Sequence, residues 1–166
     1  MNKKVGLDYF SLDVDFFYDE KIQFVSARFG TKGEAITMRL LCKIYRQGYY
    51  IDWNEDIALL FAKGVGDNVR HSCVNDVVSE LLKRGFFDRS IFERFSILTG
   101  HGIQKRYFGA CEKAKRKGVM YNPEYMLVDA SAFPKILPLP QNSEFSVQNS
   151  ESSPQNSESS PQRKVK

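Results

Sequence analysis

Residues 54–85, NEDIALLFAKGVGDNVRHSCVNDVVSELLKRG, contain two amphipathic segments separated by a glycine-containing turn at residues 64–67. Asn54 can cap the first segment, whose apolar residues fall on one face of a helix. In the second segment, residues 68–84, valine, cysteine and leucine recur every three or four positions until Gly85 supplies a stop. Two helices joined by a short turn predict a helix-turn-helix.

The flanking sequence predicts that this unit belongs to a winged helix. Upstream, residues 33–47 have helical periodicity, and residues 49–53 are aromatic and β-branched, as in a short strand. Downstream, residues 86–87 and 91–98 predict two strands joined by a turn at residues 88–90, which would form the wing. The order helix, strand, helix, turn, helix, strand, strand is that of a winged helix-turn-helix. We therefore expect an α+β, mostly helical fold.

Two further helices are predicted within a winged-helix-like domain that spans residues 1–118. An extra N-terminal helix begins at Asp19, a good N-cap residue, and ends at Gly30. A C-terminal basic helix follows Thr99, which can cap it.

The remaining sequence predicts an extension and a tail. Residues 119–137 are ambiguous, with a turn and a short helix over residues 124–132 that could dock on the core. Residues 138–166 are rich in Gln, Asn, Ser, Glu and Pro, and residues 148–154 are repeated identically as residues 155–161. Because this repeat offers few apolar side chains to bury, we expect a disordered tail.

Composition limits the class of protein. The 166 residues include 42% hydrophobic residues, enough for a core, and the net charge of +4 permits nucleic-acid binding without requiring it. Cys42, Cys73 and Cys111 are widely spaced, which favours reduced thiols. The N-terminus has no apolar signal region, and no apolar run approaches the roughly 20 residues that span a bilayer. We expect a soluble, cytoplasmic protein without membrane contact.

Several motifs resemble a family of uncharacterised phage and prophage domains, the listerial Lin-type N-terminal domain. They occur in order at residues 12–22, 41–50, 53–56, 60–63, 83–88 and 97–107, and the likeness extends over residues 9–117. Such domains are typically found at the front of proteins that look like DnaD-type replisome organisers. The resemblance implies a winged-helix-like fold and a setting in mobile-element DNA replication.

The basic helix is the first candidate for DNA contact, through phosphates. Its six cations are Lys105, Arg106, Lys113, Lys115, Arg116 and Lys117, and Gln104 and Tyr107 could add hydrogen bonds. The alternative is a solvated helix whose basic last turn complements its own macrodipole.

The second predicted helix of the helix-turn-helix and the wing supply the other candidates. Near the N-terminal end of that helix are Asn68, Arg70, His71 and Asn75, and on or near the wing are Arg89 and Arg94. Asn and Arg side chains can read adenine and guanine edges. However, Asp76 and Glu80 are expected on the same exposed surface, where they would repel phosphate.

No catalytic site is predicted. The acidic cluster Asp13, Asp15, Asp19 and Glu20 could suggest a metal site, but the intervening aromatic residues are better explained as packing anchors. Neither histidine lies in a recognisable catalytic motif, and the glycine pairs lack the spacing of a phosphate-binding loop. We therefore expect no enzymatic activity, no cofactor, no metal and no small-molecule substrate.

Two functions remain open at the level of sequence. One is a DNA-binding module of a replication-initiation or replisome-organiser protein. The other is an assembly or adaptor domain that self-associates or recruits replication proteins such as a helicase loader. The aromatic lead-in at Phe16 and Phe17, which could pack across a dimer, favours the second.

Overall fold

The computed structural model describes residues 5–140, which are mostly helical, with two small two-stranded sheets. In chain order, the helices and strands are α1 Glu20–Gln47, β1 Ile51–Asp52, α2 Glu55–Val65, α3 His71–Lys83, α4 Arg89–Phe95, β2 Ile97–Leu98, α5 His101–Lys113, β3 Val119–Tyr121 and β4 Ile136–Pro138. Short 3-10 helices occur at Phe16–Tyr18, Pro123–Tyr125 and Ala130–Ala132.

Helix α1 begins and bends where the sequence predicts. The Asp19 carboxylate accepts a hydrogen bond from the backbone N–H of Lys21 at 2.9 Å, as expected of an N-cap. Gly30 adopts a left-handed φ of 61° that interrupts the helical geometry. The predicted break at Gly30 is thus confirmed. The two predicted helices on either side of it are the two halves of one kinked helix.

Helices α2 and α3 form the predicted helix pair, with one shift. Asn54 caps α2 by accepting from the N–H of Ile57 at 2.9 Å. Helix α3 begins at His71, so Asn68 and Arg70 precede the helix instead of lying in its first turn. That part of the prediction is wrong, because Arg70 occupies the N-cap position with an extended backbone.

The predicted wing hairpin is wrong. Residues 89–95 form helix α4, whose N-cap Asp88 accepts from the N–H of Ile91 at 2.8 Å. Ser96, in the left-handed conformation, ends this helix. Only Ile97–Leu98 remain extended, and they pair antiparallel with β1, with Ile51 opposite Leu98.

Helix α5 starts one residue later than predicted. Its N-cap is Gly100, whereas the buried Thr99 hydroxyl donates to the carbonyl of Tyr49 at 2.7 Å. A side chain at position 100 would overlap the Phe86 carbonyl, so the glycine permits a close backbone approach.

The C-terminal extension docks on the core through a parallel sheet. Val119 of β3 lies opposite Ile136 of β4, and Phe133 contacts Phe108 with ring centroids 5.7 Å apart. Two 3-10 helices replace the predicted helix over residues 124–132. Strand β4 reaches residue 138, and the predicted tail beyond residue 140 lies outside the described residues.

A buried ion-pair network joins α3 to the first half of α1. The Glu80 side chain is only 3% exposed, and its carboxylate accepts from Arg84 Nε at 2.7 Å and from Arg28 at 3.2 Å. The Arg84 guanidinium also stacks 3.5 Å from the ring centroid of Phe24. The hydrogen bond from Arg84 lowers the pKa of Glu80, with Arg28 adding charge attraction. Glu80 is therefore paired inside the fold, and the prediction that it lies on an exposed surface is wrong.

We predict that Glu80→Gln destabilises the protein near neutral pH and much less in acid. A carboxyl group with a lowered folded-state pKa stabilises the fold above its ordinary pKa, and this contribution is lost as the pH falls through the folded-state value. Denaturant unfolding should show a loss of about 2 kcal/mol at pH 7. The control is Glu93→Gln, since Glu93 is 66% exposed in its pair with Arg89. An equal loss for Glu80→Gln at pH 7 and pH 2 would contradict the prediction.

Candidate nucleic-acid interface

The six cations predicted to bind phosphate divide into two groups in the structure. Four of them are exposed on and just after α5: Lys105, Lys113, Lys115 and Lys117. Arg106 and Arg116 are half-buried and hydrogen-bonded within the chain. Only the four lysines therefore present a charge that is free of a described intramolecular partner.

Arg106 attaches the lead-in segment, residues 9–19 before α1, to the core. Its guanidinium donates to the Asp13 carboxylate at 2.8 Å and to the Tyr45 hydroxyl at 3.2 Å. Asp13, which the sequence placed in an acidic cluster, is therefore one half of an ion pair between residues far apart in the chain.

Arg116 and Tyr107 hold the N-terminal segment against the end of α1. The Tyr107 hydroxyl donates to the Val5 carbonyl at 2.7 Å, and Arg116 donates to the Gly6 carbonyl at 2.8 Å. Burial raises the pKa of Tyr107, so its hydroxyl keeps its proton. A side chain at Gly6 would overlap the Arg46 carbonyl, which shows how closely this segment crosses α1.

Gln104 and Tyr107 are not at the surface, so the expectation that they contact DNA is wrong. The Gln104 side chain is fully buried. Its amide donates to the Tyr125 carbonyl at 2.6 Å, and its oxygen accepts from the N–H of Leu127 at 2.8 Å. This pair of bonds resembles one rung of a β-ladder and fastens the C-terminal extension to α5.

The residues predicted for base reading lie around the turn between α2 and α3. Arg70 and His71 are exposed at the start of α3. Asn68 is also exposed, and its carbonyl accepts from Lys32 Nζ at 3.2 Å. Asn75 is half-buried and donates to the Glu55 carboxylate at 3.1 Å, so this side chain already has a partner.

These contacts place four basic or titratable side chains from three helices around one turn. We call this set, Lys32, Lys63, Arg70 and His71, the turn surface. Lys63, Arg70 and His71 share a recess with the acidic Asp67, and Lys32 reaches the same turn from α1. The exposed Asp76 lies farther along α3, so the positive character is confined to the beginning of the helix.

The arginines predicted to lie on a wing are carried by α4. Arg89 forms an ion pair with Glu93 at 3.5 Å, one helical turn away, and is 68% exposed. Arg94 is exposed over the ring of Phe95, with its guanidinium 4.7 Å from the centroid.

A second basic region was not predicted from the sequence. Helices α1 and α2 enclose a recess of about 480 Å³ lined by Arg39, Cys42, Lys43, Arg46, Gln47, Phe61, Gly64 and Val65. We call it the α1–α2 groove. The spacing of its three cations, i, i+4 and i+7, places them on one helix face and could have revealed it.

Neither a metal site nor a membrane-spanning helix occurs in the part of the chain that the structure describes. Residues 5–140 contain no cluster of three or more His, Cys, Asp or Glu side chains arranged to hold a metal ion. Among these same residues, no helix combines the length and apolar character needed to cross a bilayer. Asp13 and Asp19 serve instead as an ion-pair partner and a helix cap.

The match to a known family is decided by the segment from the lead-in to the start of α5. A family model described as "Lin1244/Lin1753-like, N-terminal" matches residues 9–103. The chain belongs to the Lin1244/Lin1753-like N-terminal family. The turn surface and the α1–α2 groove both lie within the matched residues, whereas the basic end of α5 lies beyond them.

One relative carries the same family name. The chain is 44% identical over 126 residues to the "Uncharacterized phage-related protein Lin1244/Lin1753" of Listeria innocua serovar 6a. The alignment covers 76% of this chain and 40% of the relative, so the chain spans less than half of that protein. No solved structure matches the chain.

We predict that Gln104→Leu destabilises the fold by about 1–3 kcal/mol, because it leaves the partly buried Tyr125 carbonyl and Leu127 N–H without their partner. Denaturant unfolding measures this loss, and Gln47→Leu, a change at an exposed glutamine, is the control. Backbone amide exchange should also become faster around residues 125–127. A variant as stable as the wild-type protein would show that Gln104 does not fasten the extension.

Proposed function

We propose that this chain is a non-enzymatic DNA-binding module that acts in phage or mobile-element replication. Duplex DNA would be bound mainly through its phosphates, by the turn surface and by the exposed lysines at the end of α5. The observation that carries the proposal is the concentration of Lys32, Lys63, Arg70 and His71 around the start of α3. The phage-related name of the Listeria relative supports the proposed setting.

We infer a winged-helix-like architecture in which a helix replaces the wing, and this inference is consistent with the proposed function. Residues 33–47, β1, α2, α3 and β2 follow the order of a winged helix, and β1 pairs with β2 as a wing strand would. The backbone N–H of Asp88 donates to the Thr99 carbonyl at 2.8 Å, which is where the other wing strand would run. In this interpretation, α4 takes the place of the wing tip. Arg89 and Arg94 would then contact DNA from a helix and not from a hairpin.

The position of the turn surface suits a helix-turn-helix. In that motif, the N-terminal residues of the second helix contact the DNA while the first helix crosses the backbone. Arg70 and His71 occupy the corresponding place on α3, and Lys63 ends α2 beside them. Because Asn75 is bonded to Glu55 and Asp76 follows it, we expect phosphate contacts to outweigh base reading.

The exposed lysines of α5 would add a second, sequence-independent contribution. Lys113, Lys115 and Lys117 lie within five residues at the end of the helix, where no hydrogen bond or ion pair of these side chains is found among the described residues. Arg106 and Arg116 are left out of the proposed interface because, unlike Lys32, they are half-buried as well as hydrogen-bonded to other segments of the chain.

Neutralising the turn surface is expected to weaken duplex binding for every sequence. The variant Lys63→Gln with Arg70→Gln removes two proposed phosphate contacts, so the salt slope of the binding constant should fall by about 1.8. Fluorescence anisotropy with a random duplex, from low to near-physiological salt, measures both quantities.

A matched variant removes the same charge elsewhere. Lys83→Gln with Lys135→Gln neutralises two exposed lysines outside the turn surface, the groove and α5. Equal weakening by both pairs would mean that only net charge matters. A wild-type protein that binds no duplex even at low salt would refute the proposed function.

The exposed lead-in segment favours a second candidate, an assembly domain that binds itself or replication proteins. Val14 is 91% exposed and Tyr18 is 76% exposed, although both are large apolar or aromatic residues. Phe17 is also exposed, whereas Phe16 packs partly against the core, so only one of the two phenylalanines proposed for a dimer is available. Exposed apolar side chains this close together are typical of protein interfaces.

If this segment mediates self-association, Val14→Ser with Tyr18→Ser should shift the protein towards the monomer without changing its stability. Sedimentation velocity across a wide concentration range measures the shift. The control is Leu60→Ser, which removes an exposed leucine from α2. A wild-type chain that remains monomeric at every concentration would exclude self-association through the lead-in.

A further inference from the structure

The α1–α2 groove combines an uncompensated row of cations with an aromatic wall. Helical geometry spreads Arg39, Lys43 and Arg46 over about 10 Å along one face of α1. No acidic side chain is found among the described residues that line the groove. The ion pairs found within residues 5–140 involve other arginines, at positions 28, 84, 89 and 106.

The opposite wall of the groove offers an apolar surface. Phe61 and Val65 of α2 face the cations of α1 across the recess. Phe61 is half-buried and held edge-to-face by Trp53, with ring centroids 5.7 Å apart, so the orientation of its ring is fixed by the core. Arg39 also bonds the Gly64 carbonyl at 2.9 Å, which ties the two walls together.

We propose that the α1–α2 groove binds a single strand of nucleic acid. A positive groove that follows the backbone, together with an aromatic side chain for the bases, is the pattern by which proteins hold single strands without reading sequence. The recess encloses about 480 Å³, which is within the range of small-ligand sites. Arg39, Lys43 and Arg46 contact successive phosphates, and one base packs on Phe61.

This inference rests on the proposed function only in that both require nucleic-acid binding, and the two surfaces adjoin but are lined by different cations. The turn surface takes duplex, and the groove takes a single strand. Binding of single-stranded and of duplex DNA is compared by titrating the full chain with a labelled twelve-nucleotide oligothymidine and with a duplex of the same length.

The variant Lys43→Gln with Arg46→Gln tests the cations. Loss of two phosphate contacts should weaken oligothymidine binding about tenfold at near-physiological salt and lower its salt slope by about 1.4. Duplex binding should change much less. The matched variant Lys63→Gln with Arg70→Gln should show the reverse preference.

Phe61 provides a second test, because its substitution leaves the charge of the groove unchanged. Phe61→Leu should weaken oligothymidine binding about fivefold or more, whereas Phe61→Tyr keeps an aromatic face and should retain binding. Thermal unfolding of both variants verifies that each remains folded after its contact with Trp53 is altered.

Cys42 reports occupancy of the groove directly, because its thiol is exposed in the lining. Oligothymidine should slow alkylation of Cys42 by iodoacetamide, measured by peptide mass spectrometry with Cys73 as the internal reference. Duplex should protect it less.

The possible outcomes separate the two proposals. Duplex binding without oligothymidine binding overturns the groove inference alone, and the opposite result overturns the turn-surface proposal alone. Absence of both kinds of binding overturns both. Equal protection of Cys42 by polyglutamate of the same length would show that the groove accepts any polyanion, which also overturns the inference.

Discussion

The packing of α3 against α1 is the constraint on which the other features of the domain depend. Val74, Val77 and Leu81 of α3 are fully buried, as are Val25 and Ile36 on either side of the kink in α1. Burial of an apolar face this continuous is the main source of stability in a helical domain.

Burial also dictates which charges can exist at this contact. Glu80 lies inside it, and a buried carboxylate is tolerated only when it is paired and hydrogen-bonded. Arg84 at the end of α3 and Arg28 of α1 meet that requirement, and the Arg28–Glu80 pair links the two helices. The end of α2 and the α2–α3 turn lie beside α1, where Arg39 donates to the Gly64 carbonyl and Lys32 donates to the Asn68 carbonyl.

The helices were predictable from the sequence because their signals are local. Caps at Asp19 and Asn54 and a glycine break at Gly30 each act over a few residues, and the structure contains all three. Helix α4 was not predicted, because the β-branched and aromatic residues among positions 91–98 indicate an extended strand. The same sequence has a capping residue, Asp88, followed by Ile91 and Phe95 at helical spacing.

The site was less predictable because its determinants are long-range. Six cations between residues 105 and 117 indicated one basic surface, yet the partners of Arg106 and Arg116 lie at Asp13 and Gly6, about a hundred positions away. Density of charge in the sequence therefore overstated the charge available on α5. Conversely, Arg39, Lys43 and Arg46 are scattered among apolar residues and form a row only on a helix.

The two basic regions cannot act as electrically independent surfaces. Lys32 donates to the Asn68 carbonyl between α2 and α3, and Arg39 donates to the Gly64 carbonyl at the end of α2, so the two regions adjoin. Charges closer than about one Debye length, roughly 8 Å at physiological salt, are only partly screened from one another. Each cation therefore raises the local potential over both regions, whichever strand it contacts. What distinguishes the groove from a generally positive face is its lining. Three cations of α1 face Phe61 of α2 with no acidic side chain among the lining residues, whereas the recess at the start of α3 includes Asp67. The ratio of single-strand to duplex affinity therefore tests the division between the regions, and the absolute affinity of either does not.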